Sequence, residues 1–107
     1  ALHDLVYLRS QIQYVERERT HLIENFSKLG FTVYPSVTNF ILIGTKTLDI
    51  TSNHLVKLLE SKDIYVKDCG FSPGLDGFHF RTSIGNYTEN KALLTAVNEI
   101  ISFPIFA

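Results

Sequence analysis

The amino-acid sequence predicts an α+β domain: a two-layer sandwich in which helices cover one face of a small, mainly antiparallel sheet. Three features predict it. A long N-terminal stretch carries apolar residues at helical spacing, and short runs of β-branched and aromatic residues are each closed by glycine, proline or a polar turn. The two patterns alternate in the order helix, strand, strand, helix, strand, strand, helix.

The first helix is predicted from Leu5 to Leu29, where Leu5, Leu8, Ile12, Val15, Leu22, Phe26 and Leu29 recur at steps of three, four and seven. Arg9, Gln13, Glu16 and Glu24 fall on its other faces. Gly30 follows as the expected C-cap, because a left-handed residue there lets the chain satisfy the last carbonyls. Phe31 to Val37, interrupted by Pro35, and Asn39 to Ile43, stopped by Gly44, read as two strands joined by a short Pro-Ser-Val-Thr link, hence an antiparallel hairpin. Thr51 or Ser52 is expected to cap a short helix carrying Leu55, Leu58 and Leu59 and ending near Ser61 to Asp63.

Ile64, Tyr65 and Val66 are expected to form a third strand running into Lys67, Asp68 and Cys69. Residues Gly70 to Gly77 hold three Gly and one Pro, which makes a turn-rich loop. Phe78 to Ile84 alternates Phe78, Phe80, Thr82 and Ile84 with His79, Arg81 and Ser83, the period of two of a strand, so Arg81 is expected to point away from the aromatic pair. Thr88 is the expected cap of a last helix through Ile101, with Glu89 in its first turn and Leu93, Leu94, Val97, Ile100 and Ile101 on its apolar face, broken off before Pro104.

Composition bounds the function. At 107 residues, 45% hydrophobic and 20% charged, the chain fits one domain with one core. A formal net charge of -1, with no run of like charges, provides no electrostatic footprint for nucleic acid or an anionic membrane. The longest apolar stretches fall far short of the roughly 20 residues of a membrane helix. One cysteine, Cys69, makes neither an internal disulfide nor a zinc knuckle, so a reducing cytoplasm is the expected setting. The sequence has no methionine and opens on Ala1 in helical pattern, as expected for a piece of a longer polypeptide.

No Walker loop, nucleophile elbow or metal-spaced histidine pair is present, and His3, His21, His54 and His79 are scattered. The glycine-rich loop leads into a strand and so is no dinucleotide fingerprint. The distinguishing block runs Ile64-Tyr65-Val66-Lys67-Asp68-Cys69-Gly70-Phe71-Ser72-Pro73-Gly74-Leu75-Asp76-Gly77-Phe78-His79-Phe80-Arg81-Thr82-Ser83-Ile84-Gly85, then Thr88-Glu89-Asn90-Lys91. Together with Glu16-Arg17, Gly30-Phe31-Thr32-Val33-Tyr34-Pro35-Ser36 and Thr38-Asn39-Phe40, it resembles the C-terminal small domain of fold-type I pyridoxal-phosphate enzymes of the threonine-phosphate decarboxylase and histidinol-phosphate aminotransferase group (aminotransferase class I/II). The resemblance covers nearly the whole chain, in order.

The resemblance implies one small domain over residues 1–107, with a leading helix over 1–30 and a sheet-and-helix core over 31–107, cut from a larger enzyme. It assigns Arg81 to the substrate α-carboxylate, a task suited to the two parallel donors of a guanidinium. It assigns Lys67 to the substrate phosphate, where the family's decarboxylase-like members carry arginine, and places Asn39 near the mouth of the site. Read from the residues alone, Arg81 is a solvent-facing edge arginine, Lys67 a surface charge beside Asp68, and Asn39 a turn residue bonding nearby backbone.

Pyridoxal phosphate, its Schiff-base lysine and the Asp at its ring nitrogen are expected in the missing large domain, so the isolated chain is expected to be inactive. Lys28, Lys46, Lys57, Lys62 and Lys91 read as solvated charges. The implied partners are that large domain, a phosphorylated amino acid and, in the parent, a second identical subunit. The spacing from Lys67 to Arg81 around Pro73-Gly74-Leu75-Asp76 leans to a threonine-phosphate decarboxylase, a lyase of cobalamin biosynthesis. Ser83-Ile84-Gly85 leans to an aminotransferase. The decarboxylase-like reading is placed slightly ahead, and a stand-alone α+β binding module is the alternative of another class.

The first-helix face and the Lys67–Arg81 side are expected to have met the large domain. Leu2, Tyr7, Ile105 and Phe106 would then leave apolar surface uncovered on the isolated chain, which predicts weak self-association. Analytical ultracentrifugation at high concentration should show it, and a strict monomer would contradict it.

Overall fold

A computed structural model describes residues 2–34, 36, 38–70 and 74–102, without the side chains of Leu2 and His3. Expectations resting on Pro35, Val37, Phe71, Ser72, Pro73, Pro104, Ile105 and Phe106 lie outside the described residues, as does the side chain of Leu2. Helix α1 (Leu2–Lys28) is a single run of 27 residues, about 40 Å long at the usual rise of about 1.5 Å per residue. Gly30 ends it at φ +99°. The Gly30 N–H donates to the Ser27 carbonyl and the Phe31 N–H to the Phe26 carbonyl, both at 3.1 Å, the closing bonds of a left-handed cap.

The apolar stripe of α1 divides in two. Leu22 and Phe26 are fully buried, whereas Leu5, Leu8 and Ile12 are 60%, 56% and 55% exposed, alongside exposed Val6 and Tyr7. The first half of the helix extends past the sheet and meets no other described element closely enough to bury a side chain.

Strands β1 (Thr32–Tyr34), β2 (Phe40–Gly44), β3 (Lys67–Asp68) and β4 (His79–Ser83) form one sheet in the order β1-β2-β4-β3. Every neighbouring pair is antiparallel, and β1 with β2 is the expected hairpin. β4 is internal, paired on both sides. Helices α1, α2 (Ser52–Glu60) and α3 (Tyr87–Ile101) cover one face, and beneath them Ile41, Ile43 and Phe80 are fully buried with Leu55, Leu59 and Val97. The rings of Phe26, Phe31 and Phe80 meet edge-on in all three pairings, with centroids 5.5, 6.1 and 6.4 Å apart, the arrangement the ring quadrupole favours. The observed order of elements is the predicted one, with an additional 3₁₀ turn at Lys46–Leu48.

Two boundaries differ from expectation for local reasons. Ile64 to Val66 is not strand. Asp63 is left-handed at φ 61°, and the Ile64 N–H turns back to the Leu59 carbonyl at 3.0 Å, so the start of this run closes α2 and pairing begins only at Lys67. The last helix is capped by Asn86, not Thr88: Asn86 Oδ1 accepts from the Glu89 N–H at 2.8 Å while Glu89 Oε1 accepts from the Asn86 N–H at 3.0 Å. This reciprocal box satisfies two otherwise orphaned donors. Thr51 caps α2 as predicted, its hydroxyl accepting from the His54 N–H.

Replacing Asn86 by Ala should lower stability by about 1 kcal/mol. Urea unfolding should show this as an earlier midpoint with an unchanged slope.

Candidate functional site

The period of two along β4 sends Phe80 and Thr82 to the buried face and His79, Arg81 and Ser83 to the other. Register then decides what stands beside Arg81. Tyr34 pairs with Leu42, Leu42 with Arg81, and Arg81 with Lys67, so these four residues form one row across the open face. The two cations proposed from sequence are therefore direct cross-strand neighbours. Like charges in that position repel, and an anion placed between them relieves the repulsion. Among the described residues no carboxylate is ion-paired with either one.

Arg81 is steadied from one side. Its guanidinium carbon lies 4.4 Å from the centroid of the Phe40 ring, a cation–π contact that orients the planar group and leaves its N–H edges available. A groove of about 280 Å³ lined by Tyr65, Val66, Lys67, Arg81 and Ser83 runs beside the pair. Tyr65, expected as a strand residue, is 74% exposed at its rim.

Asn39 immediately precedes β2 and is exposed. Its main-chain carbonyl accepts from the Ile84 N–H at 2.7 Å, which ties the start of β2 to the end of β4. Its side chain makes no hydrogen bond among the described residues. At the other end of the face His79 Nε2 lies 3.4 Å from the Tyr34 hydroxyl, and its Nδ1 lies 3.0 Å from Asp76 Oδ1. Lys28, Lys46, Lys57, Lys62 and Lys91 are exposed, with Lys62 paired to Glu99 at 2.9 Å.

Sequence reading missed Arg19. Its side chain is 9% exposed and is ion-paired with Glu16, and its Nη2 donates to the Thr38 carbonyl at 2.7 Å. It thereby anchors the residue next to Asn39 from α1. The signal was present in the stripe itself: Arg19 lies four residues after Val15 and three before Leu22, a charge at a core position of an amphipathic helix.

No protein-family model matches the chain. The histidinol-phosphate aminotransferase of Methanococcus maripaludis (strain C6) is 28% identical over 102 residues, which cover 94% of this chain and 27% of that protein. The crystal structure of the histidinol-phosphate aminotransferase from Clostridium acetobutylicum superposes with a TM-score of 0.84 at 27% identity, over 92% of this chain and 30% of that one. Over nearly its whole length the chain is similar to a part of the class I/II aminotransferase-like pyridoxal-phosphate enzymes. The L-threonine-O-3-phosphate decarboxylase from Porphyromonas gingivalis, with a TM-score of 0.77 at 25% identity over 85% of this chain and 28% of that one, is a structural neighbour from the same group. This aminotransferase-like chain thus spans between a quarter and a third of the length of these relatives. Among the described residues no helix is long and apolar enough to cross a membrane, and no cluster of His, Cys, Asp and Glu is suited to a metal ion.

Arg19→Ala should destabilise the domain by about 1–3 kcal/mol, since it leaves the Thr38 carbonyl without its charged donor. Arg19→Lys should recover only part of the loss, because an ammonium does not reproduce the fork between Glu16 and Thr38. Denaturant unfolding of both variants measures the difference.

Proposed function

We propose that this chain is the substrate-binding small domain of a pyridoxal-phosphate enzyme acting on a phosphorylated amino compound. In this reading Arg81 takes the α-carboxylate, which O-phosphothreonine and the amino-acid partner of a transamination carry and histidinol phosphate does not; Lys67 takes the phosphate, and Asn39 lines the mouth. The observation that carries it is the cross-strand pairing of Lys67 with Arg81 beside an open groove. A planar guanidinium held against Phe40 suits a two-oxygen anion, whereas the ammonium of Lys67 meets phosphate as a point charge.

Of the two reactions in the group, transamination of histidinol phosphate is placed first, supported by the relatives that carry that name. Decarboxylation of threonine phosphate is the second reading, supported by the likeness to the Porphyromonas enzyme. The cofactor would act as an electron sink for the substrate α-carbon. Residues of this chain do not fit it, because the exposed lysines offer no enclosed site for a Schiff base. It belongs, in this proposal, to a large domain of the same polypeptide that covers Leu5, Leu8 and Ile12 and faces the Arg81 row. A homodimeric parent in the cytoplasm completes the proposal.

The full-length parent, assayed with histidinol phosphate and with O-phosphothreonine, tests it. A near-visible Schiff-base band with activity on one substrate is expected. Arg81→Ala should then lower kcat/KM for the carboxylate-bearing substrate, O-phosphothreonine or the amino-acid partner of the transamination, about ten- to a hundredfold, the value of a lost charge-assisted contact of about 1.5–3 kcal/mol. Absence of the band, together with an indifferent Arg81→Ala, would instead favour a stand-alone binding module.

A further inference from the structure

We infer that Asp68 is a positioning residue for Lys67, acting through Ser52 and Gly70 to hold the edge strand in the register that sets Lys67 beside Arg81. The inference rests on the reading of Lys67 and Arg81 as the anion site.

β3 has two residues and two pairings, Lys67 with Arg81 and Asp68 with Phe80. One further ladder bond, from the Cys69 N–H to the His79 carbonyl at 2.9 Å, follows them. So short an edge strand specifies its own register weakly, and a slip by one residue exchanges its faces. Slippage would turn Lys67 toward the core and bring the Asp68 carboxylate next to Arg81, neutralising the cation that binds substrate.

What opposes the slip lies beneath the sheet. Asp68 Oδ1 accepts from the Ser52 hydroxyl at 2.6 Å and from the Gly70 N–H at 2.8 Å. Ser52, 1% exposed and the first residue of α2, also donates its N–H to the Gly77 carbonyl at 3.0 Å. One carboxylate oxygen therefore joins the edge strand, the start of a helix and, through Ser52, the far end of the glycine-rich loop. The positive end of α2 favours a carboxylate there. The fit leaves no slack: a Cβ on Gly70 would lie 2.7 Å from Ser52 Oγ, 2.9 Å from Gly77 Cα and 3.1 Å from Asp68 Oδ1. With Asp68 anchored below, strand alternation holds Lys67 above.

The test uses the full-length parent with histidinol phosphate and with histidinol. Asp68→Ala should raise KM for the phosphorylated substrate about tenfold, the loss expected when one charged contact is misplaced, and leave KM for histidinol and the kcat of both unchanged. Asp68→Asn keeps the Oδ1 acceptor and should restore the wild-type value. Adding Lys67→Ala to Asp68→Ala should have no further effect, because both act on one contact. Equal losses on both substrates, or additive effects of the two substitutions, overturn the inference. If Asp68→Ala fails to fold, Ser52→Ala carries the same expectation. If Lys67→Ala alone leaves KM unchanged, the phosphate assignment of Lys67 falls, and register is read directly from a Lys67→Cys/Arg81→Cys double variant. Its disulfide should form readily with Asp68 present and be lost on adding Asp68→Ala; unchanged cross-linking overturns the inference.

Discussion

The strict two-residue period of β4, with one residue locked in the core, is the constraint on which the rest of the arrangement depends. Phe80 is held edge-on against both Phe26 and Phe31, so its side chain has one place to go. Arg81 must then stand on the opposite face. Because β4 is internal, the same anchoring sets the register of β2 on one side and of the two-residue β3 on the other. Packing in the aromatic core therefore reaches the open face through the alternation of the strand itself.

That geometry explains why exposed cations can be directional. A lone arginine on an exposed sheet face samples many rotamers, and ordering it on binding costs side-chain entropy. Here the Phe40 ring restricts Arg81 beforehand, and the antiparallel pairing places a second positive charge one strand away. The hairpin contributes from its own end, since the Asn39 carbonyl bonds the Ile84 N–H and Arg19 holds the neighbouring Thr38 carbonyl. Three segments distant in sequence thus converge on one short stretch of sheet.

Much of the fold was legible in the sequence because its signals are local. Apolar spacing in α1, the hairpin around the Pro-Ser-Val-Thr link, the alternation from Phe78 to Ile84 and the glycine that ends α1 are each decided within a few residues. The failures came where a group had two possible partners. Ile64 looks like strand, yet its N–H closes α2. Thr88 can cap a helix, but Asn86 does so because Glu89 reciprocates. Ser52 reads as a possible cap, whereas Thr51 takes that task and Ser52 turns to Asp68. At the site, the face of Arg81 was readable, but its adjacency to Lys67 was not, because cross-strand register is a long-range property that no local pattern encodes. Arg19 was hidden for the opposite reason: charge at a helix position suggests solvent, and only the tertiary structure reveals the carbonyl it meets.

The unequal burial of α1 has a mechanical consequence. From Leu22 onward the helix is fused to the sheet through Phe26, while its first turns expose their apolar side chains. An uninterrupted helix without proline or glycine bends little, so the free half acts as a handle on the rest. Whatever grips that handle commands the sheet as a rigid body: a tilt of about 10° about one end of a rod about 40 Å long moves the other end by about 7 Å. Arg81 and Lys67 would travel together, their spacing kept by the strand ladder, so such a tilt would present or withdraw both charges in one stroke.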